Sequence, residues 1–324
     1  MKILFWGSTK GNGGPSSVNR GIVSNFTPCF WKANAKNKYV ELLEAIIKCI
    51  LSDVVVVSCG SKQGILLMGL AKLLGKKCAY IMHGCAEYEI VVNAQENCEF
   101  MLPQERFLLK HTDLILPVSK KFRDWVCERY PQYAYKTKYL YNGIDKRVQQ
   151  VPERKLRIKG SVAADGADRG VKNNIVVTRV IEQMAGKAYL TVYGSIDHGV
   201  PTGLEYTKYV GMIPHSEYIR KLQETELFVV NSIFETFSIS AIEAICCGCS
   251  ILISEIVGVT DLLALEESDI IHDPMNEQEI REKIEYLLEH PNNERIMSKL
   301  DLDEYSYEKS VKKLEQMCRE LFTQ

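Results

Sequence analysis

Residues 226–254 read "ELFVVNSIFETFSISAIEAICCGCSILIS". A strand-length apolar run ends in Asn231-Ser232, an apolar helical stretch beginning near Ser238 stops at Gly248, and a second strand-length run follows. Two continuously apolar strands joined through a helix are the pattern of a buried parallel sheet. In such sheets ligands bind beyond the carboxyl ends of the strands. Glu235 lies in the loop after the first strand, and Glu243 lies eight positions on, inside the helix. The free amides from Thr236 to Ser240 suit anions and hydroxyl groups.

The same alternation runs outward from this stretch. Upstream, strands are expected at "KILFWG", "DVVVVSC", "KCAYIMHG" and "DLILPVS", with helices through Val40–Leu51 and near Ile65–Leu74, Glu105–Lys110 and Lys120–Arg129. After "YLYNGID" a second series starts, with strands at "LRIKGSV" and "AYLTVYG" before the opening stretch. A chain of 324 residues suits two domains of about 150 residues each. The expected fold is α/β, two doubly wound Rossmann-like domains facing a central cleft, residues 1–146 and 147–304. The hinge is placed at Asn142–Asp145, where Asn-Gly signals a turn, with a polar stretch running on through Glu153.

Composition narrows the class. With 46% hydrophobic and 25% charged residues the chain reads as a soluble globular protein, without repeats or low-complexity segments. The net charge of −1 hides an asymmetry: residues 1–146 carry 20 Lys and Arg against 12 Asp and Glu, so the first half is basic and the second acidic. A basic first domain points to an anionic partner such as a membrane surface or a phosphate-linked substrate. The run "ILFW" is too short for a signal-peptide core and no stretch has the roughly 20 apolar residues of a membrane span, so a cytoplasmic location is expected. Eleven cysteines without CxxC spacing read as reduced thiols, and "CCGC" at a helix end has no nearby histidine to complete a metal site.

Further candidate residues stand at strand ends. "GSTKGNGGPSS" follows the first strand; Gly13 and Gly14 let backbone amides approach a phosphate, and Ser16 or Ser17 can cap the next helix. The spacing is neither GxGxxG nor a P-loop, which disfavours a dinucleotide site or a simple NTPase. His83 follows a strand and precedes a glycine, a place from which an imidazole can reach a ligand. Arg169 and Lys172 open a helix where the dipole favours anions, and a bound phosphate would account for them. "DLDE" at Asp301–Glu304 has the letters of a metal-binding DxD but reads as a helix start.

In order along the chain, the "GGP" loop, His83-Gly84, "LPVSK", "YNGID", the Arg169/Lys172 pair, "VYG", "YVGMIP", the Glu235–Glu243 pair and "GVTDLL" resemble the family 4 retaining glycosyltransferases of GT-B fold. The resemblance implies that Arg169 and Lys172 bind the diphosphate of a nucleotide sugar, with the backbones of Gly13 and Gly14 near the same phosphates. It implies that Glu243 holds the ribose, that Glu235 and the amides of Thr236, Phe237 and Ser238 hold the donor sugar, and that His83 contacts it. Met212 and Ile213 become candidates for the base pocket. The helix at about 305–324 is implied to pack back on the first domain. Thr236-Phe237-Ser238 departs from the family's Gly-Phe-Gly, which narrows the sugar pocket.

The implied activity is transfer of a hexose, with retention, from a nucleotide-diphosphate sugar to a saccharide or lipid-linked saccharide acceptor in bacterial cell-surface synthesis. A UDP-sugar is the expected donor, and neither cofactor nor metal is expected. The alternative is a non-catalytic partner subunit of another glycosyltransferase. The helix "SKKFRDWVCERY" mixes cations with Phe122 and Trp125 as an interfacial helix does, which with the basic first domain leads to an expected peripheral location at the inner face of a membrane. Nucleic acid is not an expected partner, because no aromatic platform with interleaved cations is present.

Overall fold

The computed structural model describes residues 1–11, 13–93, 98–145, 157–167, 169–197 and 199–323. The chain divides into two compact units, one of Met1–Asp145 with Leu302–Gln324 and one of Lys146–Asp301.

In the first unit five parallel strands, β1 (Ile3–Trp6), β2 (Phe30–Trp31), β3 (Val54–Ser58), β4 (Lys77–Met82) and β5 (Leu114–Pro117), lie in the order β2-β1-β3-β4-β5. The valines of β3 are fully buried, as a central strand covered on both faces requires. The helices are α1 (Gly14–Ser24), α2 (Lys38–Leu51), α3 (Lys62–Leu73), α4 (Ala86–Val92), α5 (Met101–His111) and α6 (Lys120–Arg129). Asn37, Ser61 and Ser119 cap α2, α3 and α6 through side-chain oxygens.

The second unit repeats the plan with six parallel strands. These are β6 (Ser161–Asp165), β7 (Tyr189–Tyr193), β8 (Thr207–Val210), β9 (Leu227–Val230), β10 (Ser250–Ser254) and β11 (Ile270–Ile271), in the order β11-β10-β9-β6-β7-β8. Around them run α7 (Asn174–Gln183), α8 (His215–Gln223), α9 (Ile239–Cys246), α10 (Glu277–Glu289) and α11 (Asn293–Met297). Val176, Val180 and Ile181 of α7 and Ile280 and Ile284 of α10 close the core over one face of this sheet. The last helix, α12 (Tyr307–Thr323), belongs to the first unit and packs on α1 and β4. No helix among the described residues is long and apolar enough to cross a membrane.

Several elements differ from the sequence reading. The strand expected over "LRIKGSV" begins only at Ser161, because Lys159-Gly160 turns with Gly160 at φ +74°, a conformation open to glycine. Asn142-Gly143 forms no turn. Gly143 is needed for a different reason: a Cβ there would stand 2.5 Å from the Tyr307 Cα, and the Tyr307 ring also fills the space beside Gly21. Around this plug Ile144 pairs with Ser306 and donates its N–H to Tyr305 O at 2.8 Å. Asp301–Glu304 is a turn ahead of α12, not its start, with Asp303 O accepting from the Ser306 hydroxyl. The polar linker through Glu153 lies outside the described residues. On α6, Phe122 and Val126 are buried and Trp125 meets Tyr88 edge-on at 5.8 Å, so its apolar residues are spent on internal packing.

Gly143→Ala is expected to destabilise the protein by about 2 kcal/mol, the cost of overpacking a filled site. Urea denaturation checks it, and Gly13→Ala, where a Cβ meets nothing within 4 Å, serves as the control.

Candidate active site

In the second sheet β6 lies between β7 and β9, so the chain leaves β6 toward one side while β9 lies on the other. The connections that follow β6 and β9 run to opposite sides of the sheet, and at such a switch point the space beyond the carboxyl ends is where a ligand is received. Both loops carry charge. The loop after β6 passes through Gly166 and a short 3-10 turn, Gly170–Lys172, to Asn173 in the left-handed region at φ +50°. The loop after β9 runs from Asn231 to Ser238 and is tied to the first by Ile233 N–H donating to Val171 O at 2.9 Å.

Lys172 is only 6% exposed. Its ammonium stands 2.7 Å from Glu235 Oε2 and 3.1 Å from Asp165 Oδ1, and the Ser240 hydroxyl donates to Asp165 Oδ2 at 2.8 Å. The lysine stem passes where a Cβ on Gly166 would be, so that glycine is needed for space as well as for its φ of +75°. Burial alone would pull the ammonium down; Asp165 and Glu235 outweigh it and hold Lys172 well above the usual lysine range. Burial likewise raises the Asp165 carboxyl, and the charge of Lys172 with the Ser240 hydroxyl overcomes this and leaves it below its ordinary value. Arg169 is exposed on the same loop, and its charge acts on both groups.

Two carboxylates therefore meet the cation that the sequence left to be explained by a phosphate. Asp165 was missed because it reads as part of a Gly/Asp-rich loop; its signal is its place as the last residue of a strand before a glycine.

Glu235 accepts from Phe237 N–H at 3.4 Å, and the strip it begins is stitched to the "GVTDLL" segment by Gly258 N–H to Glu235 O and Val259 N–H to Phe237 O. Thr236, Phe237 and Ser238 are buried. Ser238 has φ +76°, the left-handed region that a glycine adopts without strain. Glu243, on α9, meets His215 Nε2 at 2.7 Å. His215 opens α8 directly after the connecting segment that carries Met212 and Ile213, with Met212 exposed. His215 was missed because a polar histidine in "IPHSE" looks like an ordinary surface residue. Among the described residues, the buried Tyr218 hydroxyl, Ser232 hydroxyl and Asn231 Oδ1 have no hydrogen-bond partner. Burial, with the charges of Asp165 and Glu243 adding to it, raises the Tyr218 phenol. Asn231 and Ser232 stand at the end of β9, and unpaired buried polar atoms there mark a place that water or a ligand completes.

In the first unit the Ser58 hydroxyl donates to Asn19 Oδ1 at 2.6 Å and therefore accepts from His83 Nε2–H at 2.9 Å. Asn19 in turn donates to Ser8 O. Burial pushes His83 down to about 4, so the imidazole is neutral at pH 7 with its Nε2 tautomer set by Ser58. Gly13 caps α1 and Gly14 begins it, with open space beside both. No side chain caps this helix: Ser16 Oγ donates instead to Lys10 O, and Arg20 clasps the loop through Thr9 O and Gly11 O.

Two measurements check these assignments. Lys172→Ala leaves Asp165 buried without its cation and is expected to destabilise by about 3 kcal/mol, with much of the loss recovered by adding Asp165→Asn. The depressed His83 contributes stability that is full above pH 6.5 and is lost as pH falls toward 4, at most about 3 kcal/mol. Urea unfolding of His83→Gln across that range is expected to show a correspondingly flatter pH dependence than the parent.

Comparison with known proteins places this geometry. No curated protein matches the sequence. Among solved structures, HepE from Anabaena in complex with UDP and glucose superposes with a TM-score of 0.71 at 13% identity, covering 99% of this chain and 100% of its own. Sucrose-phosphate synthase from Thermosynechococcus elongatus gives 0.69 at 15%, with 100% of both chains covered. Trehalose-6-phosphate synthase, studied for glycosyl transfer with retention, gives 0.66 at 10% with 99% of both covered. The two parallel-sheet units thus form the GT-B fold of glycosyltransferases. Residues 202–301, which hold Glu235, Glu243 and His215, match the model of the family described as glycosyl transferases group 1.

Proposed function

We propose that the protein is a retaining glycosyltransferase that moves a hexose from a UDP-sugar to a saccharide acceptor without a metal ion, in the synthesis of bacterial cell-surface polysaccharide or glycolipid. The observation that carries this reading is the buried Lys172 between Asp165 and Glu235 at the switch point of a GT-B sheet. The HepE structures hold UDP, UDP with glucose, and UDP-glucose, which supports the choice of donor.

In this mechanism Lys172 and Arg169 face the diphosphate. As the bond from the anomeric carbon to the phosphate oxygen breaks, negative charge grows on the leaving group, and the buried, preorganised ammonium of Lys172 stabilises it at little reorganisation cost, with the exposed Arg169 adding charge from the same loop. The acceptor hydroxyl bonds to the same face of the anomeric carbon and gives its proton to the departing phosphate oxygen, so configuration is retained. Glu235, already beside the cation, takes the sugar hydroxyls, and Glu243 takes the ribose. The roles of His83, Gly13 and Gly14 toward the donor, and of Met212 and Ile213 toward the base, rest on the resemblance.

The test is titration of the protein, with a chelator present, against UDP-, GDP-, ADP- and CMP-sugars, followed by calorimetry and by NMR of the released sugar's anomeric configuration. UDP-sugar binding that weakens in Glu243→Ala and turnover lowered roughly a hundredfold in folded Lys172→Ala are expected, about 3 kcal/mol of barrier. An inverted product overturns the retaining mechanism. Failure to bind any donor leaves the partner-subunit reading in its place.

A further inference from the structure

Helix α2 is built inside out. Its inward face offers only Ala45 and Cys49 as fully buried side chains, while Tyr39, Val40, Leu43, Ile47, Ile50 and Leu51 are exposed, Tyr39 to 83%. At 100° per residue these six fall within about 120° of the helix circumference, so they form one apolar stripe about 20 Å long. On α3, which packs beside α2, Leu66 and Leu73 are exposed as well, Leu73 to 87%, and the exposed Leu74 caps its carboxyl end. Scattered surface leucines need no explanation; nine large apolar side chains on two adjacent helices do.

The charges around the stripe identify what covers it. Residues 32–77 carry eight lysines and only three acids. All three acids are engaged inside the unit, as are Lys32, Lys48, Lys72 and Lys76, which leaves Lys36, Lys38, Lys62 and Lys77 to set the sign of the surface. Glu44 pairs with Lys48 at 2.7 Å and accepts from Asn34 and Ala35 N–H, Glu41 faces Lys10, and Asp53 accepts from Lys2 N–H at 2.7 Å. Lys36, Lys38 and Lys62 stand exposed at the amino ends of the two helices. Past the carboxyl end of α3 lies an open depression of about 400 Å³ lined by Lys72, Lys77, Lys110, Lys136 and Asp113; Lys72 pairs with Asp113 at 2.7 Å and Lys136 is buried against the carbonyls of Lys110 and Thr112, so Lys77 and Lys110 continue the positive rim. A second copy of this chain would bring the same lysine rim against itself. A flat apolar stripe framed by lysines, whose stems can lie along it, matches the interface of an anionic bilayer.

We infer that the α2–α3 face is a docking surface for an anionic lipid membrane, with the apolar stripe entering the headgroup region and the lysine rim meeting lipid phosphates. The inference goes beyond the proposed transfer reaction and moves the membrane contact from α6, where Phe122 and Val126 are buried and Trp125 packs on Tyr88, to α2 and α3.

Flotation of the full chain with vesicles of phosphatidylcholine plus phosphatidylglycerol, against vesicles of phosphatidylcholine alone, tests it. Binding is expected to the anionic vesicles, to fall with salt, and to drop by about tenfold or more in Ile47→Glu and Leu43→Glu. Lys62→Glu is expected to weaken it more mildly. Thermal unfolding and UDP-sugar titration of the same variants are expected to match the parent, which separates this surface from the donor site. Binding unchanged in Ile47→Glu and Leu43→Glu, or no binding to anionic vesicles, overturns the inference; a dimer that those variants dissociate overturns it in favour of a second copy.

Discussion

A lysine ammonium taken out of water must be met by opposite charge at close range, or it surrenders its proton. In this protein that demand falls on Lys172, and the loops at the carboxyl ends of β6 and β9 are arranged around it. Asp165 answers from the end of a central strand and Glu235 from the loop of the neighbouring strand, so the two loops must approach each other. The Ile233–Val171 hydrogen bond holds them there, and the Gly258 amide fixes the backbone of Glu235 from the other side. Gly166 leaves room for the lysine stem. The result is a cation held charged at neutral pH at the carboxyl end of the central strand β6.

The two units solve their polar problems differently. The second concentrates full charges at its switch point, while the first uses a neutral relay, Ser8–Asn19–Ser58–His83, across the carboxyl ends of β1, β3 and β4. In the relay every group but the imidazole is uncharged at all ordinary pH values, and burial keeps the imidazole neutral as well. Such a chain sets a tautomer without adding charge, which complements a unit whose surface is already rich in cations.

The long apolar strands were legible from sequence because burial on both faces leaves unbroken runs such as Val54–Val57. With the order of motifs they were enough to reach the GT-B architecture. β2, β8 and β11 were not separated from their surroundings: two of them are two residues long, and Thr207–Val210 is only partly buried. At the site, Glu235 and Lys172 stood out by residue type, yet their mutual contact did not, since they are 63 positions apart and meet only through the sheet. Asp165 and His215 escaped for the same reason: each takes its meaning from a partner on another element. The inverted polarity of α2 was also present in the letters, but a helical period says only that one face is apolar, not that this face is turned outward.

The Tyr307 plug bears on how the protein is made. Gly21 and Gly143 are shaped to receive a residue that a ribosome adds more than 160 positions after the second of them. The first unit is thus the first to emerge and the last to close, since α12 can seat against α1 and β4 only after the intervening unit has been synthesised. Until then the groove that α12 covers stays open on a nascent chain. The second unit, continuous in sequence, can fold while it waits.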